Sequence, residues 1–528
     1  MKINNAKENT VRRIIDQMND KKSPGYDGIR AKDLKYASTS LVPVITHLIN
    51  RCLITGTYPD LLKIGVIRPI HKKGSRDDVN NYRPITILSC IDKIIERYIG
   101  DEINSFLRVH GIINKKQYGF QKNKSSTQLL REFSDEVNKQ LNDKKHVLAL
   151  FIDFSKAFDM LHLDKLFDKL SRSGIQGPLL ELLKNYHNNR YNMVKIQNEF
   201  STRVSSVQGT AQGSIIGPTE YLLYVNDMTN AIDTGSVYQF ADDTCILVAN
   251  KNIQNAQESL QKGFDQMCKW AHDVGLVINA SKTKIVHIHS SQNKSTITPT
   301  VIAHEHSCLH NPQIACKCPL LEVVDKHMYI GLLVDSRFCW GPHVDYVCNK
   351  LRSILGKLSI LKYKLPYKTL RMLYMALADS VINYGLSSYG KTYHTYLAEI
   401  YRLQLRILKV ITPKYIKKKF KDSDSDLFKH CCVMSVYNKV EFFTLTEVIR
   451  PELLSETTRP SFLRSIAHKN KYILPKYNNV YGTRVSDYVI PYFINKLPEE
   501  LQLQYKENSK STKHKYKHFY TNDSLKKH

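Results

Sequence analysis

The 528-residue sequence has no apolar run of about 18 residues, the length needed to cross a hydrocarbon core. Its opening stretch, MKINNAKENTVRRIIDQMNDKK, lacks the apolar segment of a secretory signal. The expected location is therefore intracellular, in cytoplasm and nucleus. Acidic residues are also scarce: 49 Asp and Glu stand against 77 Lys and Arg, a formal charge of +28. Such an imbalance points to polyanionic partners, nucleic acid foremost. An anionic membrane surface would fit the charge, but without an apolar span no membrane is expected. The 11 cysteines are scattered and odd in number, which argues against a disulfide framework. No internal repeat is evident. What remains is an ordinary globular composition, 42% hydrophobic and 10% aromatic, in a chain long enough for two to four domains.

Periodicity places the elements. VRRIIDQM reads as a short amphipathic helix, and VIRPIHKKGSRDDVNNYRPITIL as two strands joined by a basic loop. Leu129, Leu130, Phe133, Val137 and Leu141 recur at helical spacing, and Val147 to Ile152 form a branched, apolar run that predicts a buried strand ending at Asp153. Leu260, Phe264, Met267 and Ala271 mark another helix, stopped near Gly275, before the strand KIVHIHS. From Leu351 the pattern turns helical. Beyond about residue 412 it becomes strongly basic, and YIKKKFK and KENSKSTKHKYKHF alternate lysine with aromatics, a pattern suited to stacking on nucleic acid or to a solvated, partly disordered tail.

YQFADDTCILV sets Asp242 beside Asp243 between two short strands. Two carboxylates about 4 Å apart repel by about 4 kcal/mol at an effective dielectric near 20. A hairpin turn is one reading. The other is a divalent-cation site, which requires a further acid from elsewhere in the chain, and Asp153 at its own strand end supplies one. Taken alone, Asp153 reads equally as a helix N-cap. In HEHSCLHNPQIACKC, a stretch whose spacing matches no standard finger, Cys308, His310, Cys316 and Cys318 offer a zinc set, with His304 and His306 nearby. The alternative is a surface insertion without metal.

These blocks carry a resemblance. FIDFSKAFD, QGTAQGSIIGP, YQFADDT, GLVINASKTK and YIGLLVD, in that order, resemble the palm motifs of reverse transcriptases from jockey-like non-LTR (LINE) retrotransposons, mobile elements that encode an RNA-directed DNA polymerase. SPGYDGI, PIHKKGSRDDVNNYRPITILS and QYGFQKNKSST resemble the finger motifs of the same family. The resemblance runs from about residue 23 to about 350. It implies an α+β right-hand polymerase fold with fingers, an antiparallel-sheet palm, a helical thumb and a basic C-terminal region. The implied division is 1–22 as a helical lead-in, 23–145 as fingers and the start of the palm, 146–350 as palm with a Cys/His insertion near 290–320, 351–411 as thumb, and 412–528 as the basic region.

The implied chemistry is nucleotidyl transfer with two Mg²⁺ or Mn²⁺ ions on Asp153, Asp242 and Asp243, and zinc as a further candidate in the insertion. An RNA template, a DNA primer and deoxynucleoside triphosphates are the implied partners. Lys72, Lys73 and Arg83 would face the triphosphate, and Phe158 the sugar, where an aromatic ring would exclude a 2′-hydroxyl. Gln212 and Gly213 would lie beside the nucleotide, and Lys282 beside the departing pyrophosphate. Asp159 and His162 read as helix-start and packing residues. The family's second palm motif usually reads Pro-Gln-Gly, and here it is Ala211-Gln212-Gly213. Glycines 209, 213 and 217 are expected to allow close approach to a nucleotide. Complete elements of this kind carry an endonuclease, which is expected to be supplied elsewhere. Two rival readings use the same fold: a nucleic-acid-binding protein without catalysis, and a maturase-like RNA-processing cofactor.

Overall fold

A computed structural model describes residues 1, 3–293, 297–304, 308, 317–417, 423–455, 471–477, 479–507 and 511–522. It is a mixed α/β structure with two five-stranded sheets, and helices dominate from residue 341 onward.

The first sheet is built from β1 (Ile64–His71), β2 (Tyr82–Ile87), β4 (Arg190–Ile196), β5 (Glu199–Phe200) and β6 (Val204–Ser206). β1 and β2 form the expected antiparallel pair, from Val66 opposite Ile87 to His71 opposite Tyr82, with the basic loop between them. β4 runs parallel to β1, an arrangement no local pattern announces because its partner lies more than 100 residues away.

The second sheet has the order β10-β9-β3-β8-β7. Its strands are β3 (His146–Ile152), β7 (Ser236–Phe240), β8 (Asp243–Asn250), β9 (Lys284–Ile288) and β10 (Glu322–Val323). β3 is central, antiparallel to β8 on one side and to β9 on the other, while the short edge strand β10 is parallel to β9. All seven residues of β3 are buried. Alternation divides them: Leu148, Leu150 and Ile152 enter one core, and Val147, Ala149 and Phe151 enter another. Helix Ile253–Val274 packs on β3 and β8, and helix Ser126–Asn142 packs on β3 and β7. The former stops where Gly275 adopts φ 80°, a left-handed cap.

A two-stranded hairpin follows, β11 (Lys326–Tyr329) and β12 (Leu332–Asp335), turning at Ile330 and Gly331, both with positive φ. Trp340 is buried, as a packing residue. Helices Gly341–Leu361, His394–Ile411 and Val436–Thr446 then pack together with a bent segment, Tyr367–Asn383, that contains a π-helical stretch at Tyr374–Asp379.

The C-terminal region departs from its sequence reading. Helix Thr512–Asn522 buries Tyr516 and Tyr520 in a third core with Leu445, Tyr472, Ile490, Ile494 and Tyr505. Those two tyrosines are therefore core residues with no face open for stacking on a base, and Thr512–Asn522 is helical. Their i, i+4 spacing, continued back to buried Thr512, puts them on one helix face. In the other basic stretch, YIKKKFK, residues 418–421 lie outside the described residues.

Candidate active site

The Asp242 turn is shaped by its neighbours. Phe240 pairs with Asp243 across β7 and β8, which leaves Ala241 and Asp242 as a two-residue loop. Ala241 sits at φ 57°, a left-handed conformation that glycine ordinarily supplies at the first position of such a turn. Gln117 holds it there. Its Oε1 accepts from Ala241 N at 2.9 Å and from Gly119 N at 2.8 Å. The QYGF segment lies along β7, with Tyr118 N donating to Gln239 O at 2.8 Å. A Cβ on Gly119 would stand 2.4 Å from Ala241 N, so this contact needs glycine. Gln117 was not among the candidate residues; the one signal of its role is its place in a recognised block.

Asp153 follows the end of β3. Its N–H donates to Thr283 Oγ1 at 3.3 Å, and its carbonyl accepts from Asn279 N at 2.8 Å. GLVINASKTK is thereby docked beside it, and Lys282 Nζ comes to 3.9 Å from Asp153 Oδ2.

Asp153 and Asp242 line a cleft of about 1350 Å³ together with Lys72, Arg83, Phe158, Gln212, Gly213 and Lys282. Asp243 adjoins it at the start of β8. Crowding by protein raises Asp243 to about 6; withdrawal from water contributes most, then Asp242 and Asp153, against an opposing pull from Lys72. Asp242 is raised as well, again first by burial, with Lys72 and Arg83 pulling the other way. Repulsion among three acids is thus only partly answered by the basic residues that enter from the β1–β2 hairpin. Lys73 is exposed on the same hairpin and does not line the cleft.

Phe158 stacks on buried Tyr221, ring centroids 4.4 Å apart and 23° between planes, and meets Phe120 edge-on at 6.2 Å. The ring is therefore held on two sides. Gln212 Nε2 donates to Asp159 Oδ1 at 2.9 Å, and Gln212 O accepts from Thr86 N at 2.8 Å. Asp159 thus orients Gln212, a role its sequence position does not disclose; it lies in the turn ahead of helix Leu163–Arg172, not at the helix start expected for it.

Glycines 209 and 213 are required by the packing of the chain itself. A Cβ on Gly213 (φ 146°) would lie 2.1 Å from Thr86 O, and one on Gly209 (φ 78°) 2.7 Å from Asp159 O. A Cβ on Gly217 would lie 2.7 Å from Thr210 Oγ1. The close approaches are to the chain itself, and they lock the 209–217 loop between the two sheets.

Buried carboxylates hold the same loop from behind. Glu96 Oε2 accepts from Ile215 N at 2.8 Å and its other oxygen from Tyr186 OH, while Glu220 accepts from Thr210 Oγ1 at 3.3 Å and contacts His187 Nε2 at 2.8 Å. Burial, ahead of every other influence, pushes Glu96 above the usual carboxylate range. Asp27 accepts from Ser89 Oγ at 2.5 Å, which ties SPGYDGI to the start of helix Cys90–Val109.

Cys308 and Cys318 stand away from the cleft, with His304 beside them. His310 and Cys316 lie outside the described residues, as does His306.

Comparison with known proteins agrees with the motif order. The family described as reverse transcriptase (RNA-dependent DNA polymerase) matches residues 70–331. A probable RNA-directed DNA polymerase from transposon X-element of Drosophila melanogaster is 26% identical over 410 residues, 76% of this chain and 43% of that protein. The polymerase from transposon BS of the same organism is 25% identical over 410 residues, covering 75% of this chain and 44% of the relative. The RNA-directed DNA polymerase from mobile element jockey of Drosophila melanogaster is 26% identical over 431 residues, 79% of this chain and 45% of the relative. The chain thus spans less than half the length of each of these three relatives. Motif order, family match and relatives agree: residues 70–331 are a reverse transcriptase domain, and the chain is similar to the RNA-directed DNA polymerases of jockey and related transposons.

Proposed function

We propose that this protein is an RNA-directed DNA polymerase that adds deoxynucleotides to a primer 3′-hydroxyl, copying RNA in retrotransposition. The observation that carries the reading is the gathering of Asp153, Asp242 and Asp243 at one cleft that Lys72 and Arg83 enter from the other sheet. In right-hand terms the sheet around β3 is the palm, the sheet around β1 belongs to the fingers, and the helices from Gly341 begin the thumb.

The donor set suits Mg²⁺ or Mn²⁺: carboxylates are hard oxygen ligands, and the nearby basic residues relieve their mutual repulsion only in part. When bound on these carboxylates, such ions activate the attacking hydroxyl and neutralise charge on the leaving pyrophosphate. The chain's own groups do the rest. Arg83 and Lys72 bind triphosphate oxygens, the guanidinium by its fork and the ammonium as a point charge. Lys73 adds positive charge at the entrance. Phe158, braced by Tyr221, lies against the sugar and excludes a 2′-hydroxyl. Gln212, oriented by Asp159, hydrogen-bonds base or sugar, with Gly213 behind it. Lys282 neutralises or protonates pyrophosphate.

The test is primer extension on an RNA template with deoxynucleotides. Extension that stops on chelation and returns with Mg²⁺ or Mn²⁺ supports the reading. A folded, RNA-binding protein that never extends would leave the non-catalytic binder in its place.

A further inference from the structure

Between β9 and β10 the chain leaves the sheet and returns, and the two arms of this excursion are fastened together. Ile302 and Leu320 form an antiparallel bridge, with Ala303 N donating to Pro319 O at 2.9 Å and Leu321 N to Val301 O at 2.8 Å. Val301 and Leu321 are buried in the main core. Helix Ile253–Val274 grips the outgoing arm: Gln261 accepts from Ile302 N at 2.7 Å and donates to Ile302 O at 3.0 Å, and Gln257 accepts from Thr300 N at 3.0 Å. This stem is set by backbone pairing and core burial, independently of any thiol.

The stem places His304 and Cys318 at its mouth, and Cys308 joins them. One donor atom from each lies within 4.8 Å of the other two, and among the described residues no other set of three His, Cys, Asp or Glu donors meets that limit. The sulfurs of Cys308 and Cys318 are 3.5 Å apart. A disulfide would need about 2.05 Å. Two thiolates each about 2.3 Å from one tetrahedral zinc stand about 3.7 to 3.8 Å apart, close to what is found. Histidine with two cysteines is a borderline-soft donor set that takes zinc in preference to the hard cations suited to the carboxylate cleft.

We propose that His304, Cys308 and Cys318 bind a structural zinc ion at the mouth of this stem. Binding releases the two thiol protons, and the neutral imidazole donates a ring nitrogen, so two thiolates balance the ion's charge. The fourth position is open to water or to another donor. The site is separate from the polymerase cleft and stands or falls without it.

The test reads metal. Full-length protein purified without chelator should contain about one zinc per chain by elemental analysis. Cobalt(II) in its place should give the visible bands of tetrahedral coordination and a thiolate charge-transfer band. Cys308→Ser, Cys318→Ser and His304→Ala should each lower zinc occupancy at least several-fold, while Cys432→Ser, at an exposed cysteine elsewhere, should leave it unchanged. Absence of zinc together with no cobalt–thiolate band in the wild type overturns the proposal, whatever the variants do. Full zinc retained by the Cys308→Ser/Cys318→Ser double variant overturns it as well.

Discussion

Asp243 shows how much a single residue carries in this cleft. Its carboxyl is raised to about 6, above the ordinary 3.8, because burial and two neighbouring acids disfavour the ion. A raised acid favours the fold while it is protonated, and that contribution fades as pH climbs from about 4 through about 6. A divalent cation needs the ionised form and so acts in the opposite direction. Mg²⁺ should therefore raise the melting temperature more at pH 7.5 than at pH 5; equal shifts at both would contradict a site built on Asp243. Phe158 allows a second test. Held by Tyr221 and Phe120, the ring cannot swing aside, so Phe158→Val should open space and raise ribonucleotide incorporation relative to deoxynucleotide. Unchanged discrimination would remove the ring from the sugar. Gln117 and Asp159 belong at this scale too. Each acts through a contact far away in sequence, one on the Ala241 turn and one on Gln212, which is why spacing alone could not assign them.

At the scale of elements, local pattern served where it was sufficient. β3, β7, β8 and β9 and the helices at 126–142 and 253–274 were legible because alternation or helical spacing was clean and a glycine or a polar turn marked their ends. The parallel pairing of β4 with β1 was not, since it depends on a distant partner. The tail misled for a different reason: lysines between tyrosines hide a buried stripe, because Tyr516 and Tyr520, four residues apart, face inward while Lys517 between them stays exposed. Tyr516 is fully buried, with its hydroxyl donating to Leu501 O at 2.7 Å. Tyr516→Ala should then lower unfolding stability by about 3 to 5 kcal/mol, measured by denaturant titration, and leave RNA affinity of the folded protein unchanged. Weaker RNA binding at unaltered stability would restore the stacking role.

The whole molecule is held together by contacts between regions distant in sequence. Lys391 Nζ meets Asp135 Oδ1 at 3.0 Å, and Ser486 N donates to the same oxygen at 3.1 Å, joining the helix behind β3 to the C-terminal helices. Burial lowers Lys391 even as Asp135 holds its proton on, so the pair is a linchpin that tolerates no loss of one partner. The +28 charge makes the proposed RNA binding a matter of counterion release. Affinity for RNA should fall steeply between about 50 and 200 mM salt, and a flat dependence would remove the electrostatic account. The proposed activity rests on the three acids. Its most direct test compares wild type with Asp242→Asn in primer extension on RNA with Mg²⁺, measuring RNA binding and melting temperature in parallel. Extension by the wild type alone, with binding and fold retained in both, is the predicted result. Equal extension by the variant would contradict the carboxylate site.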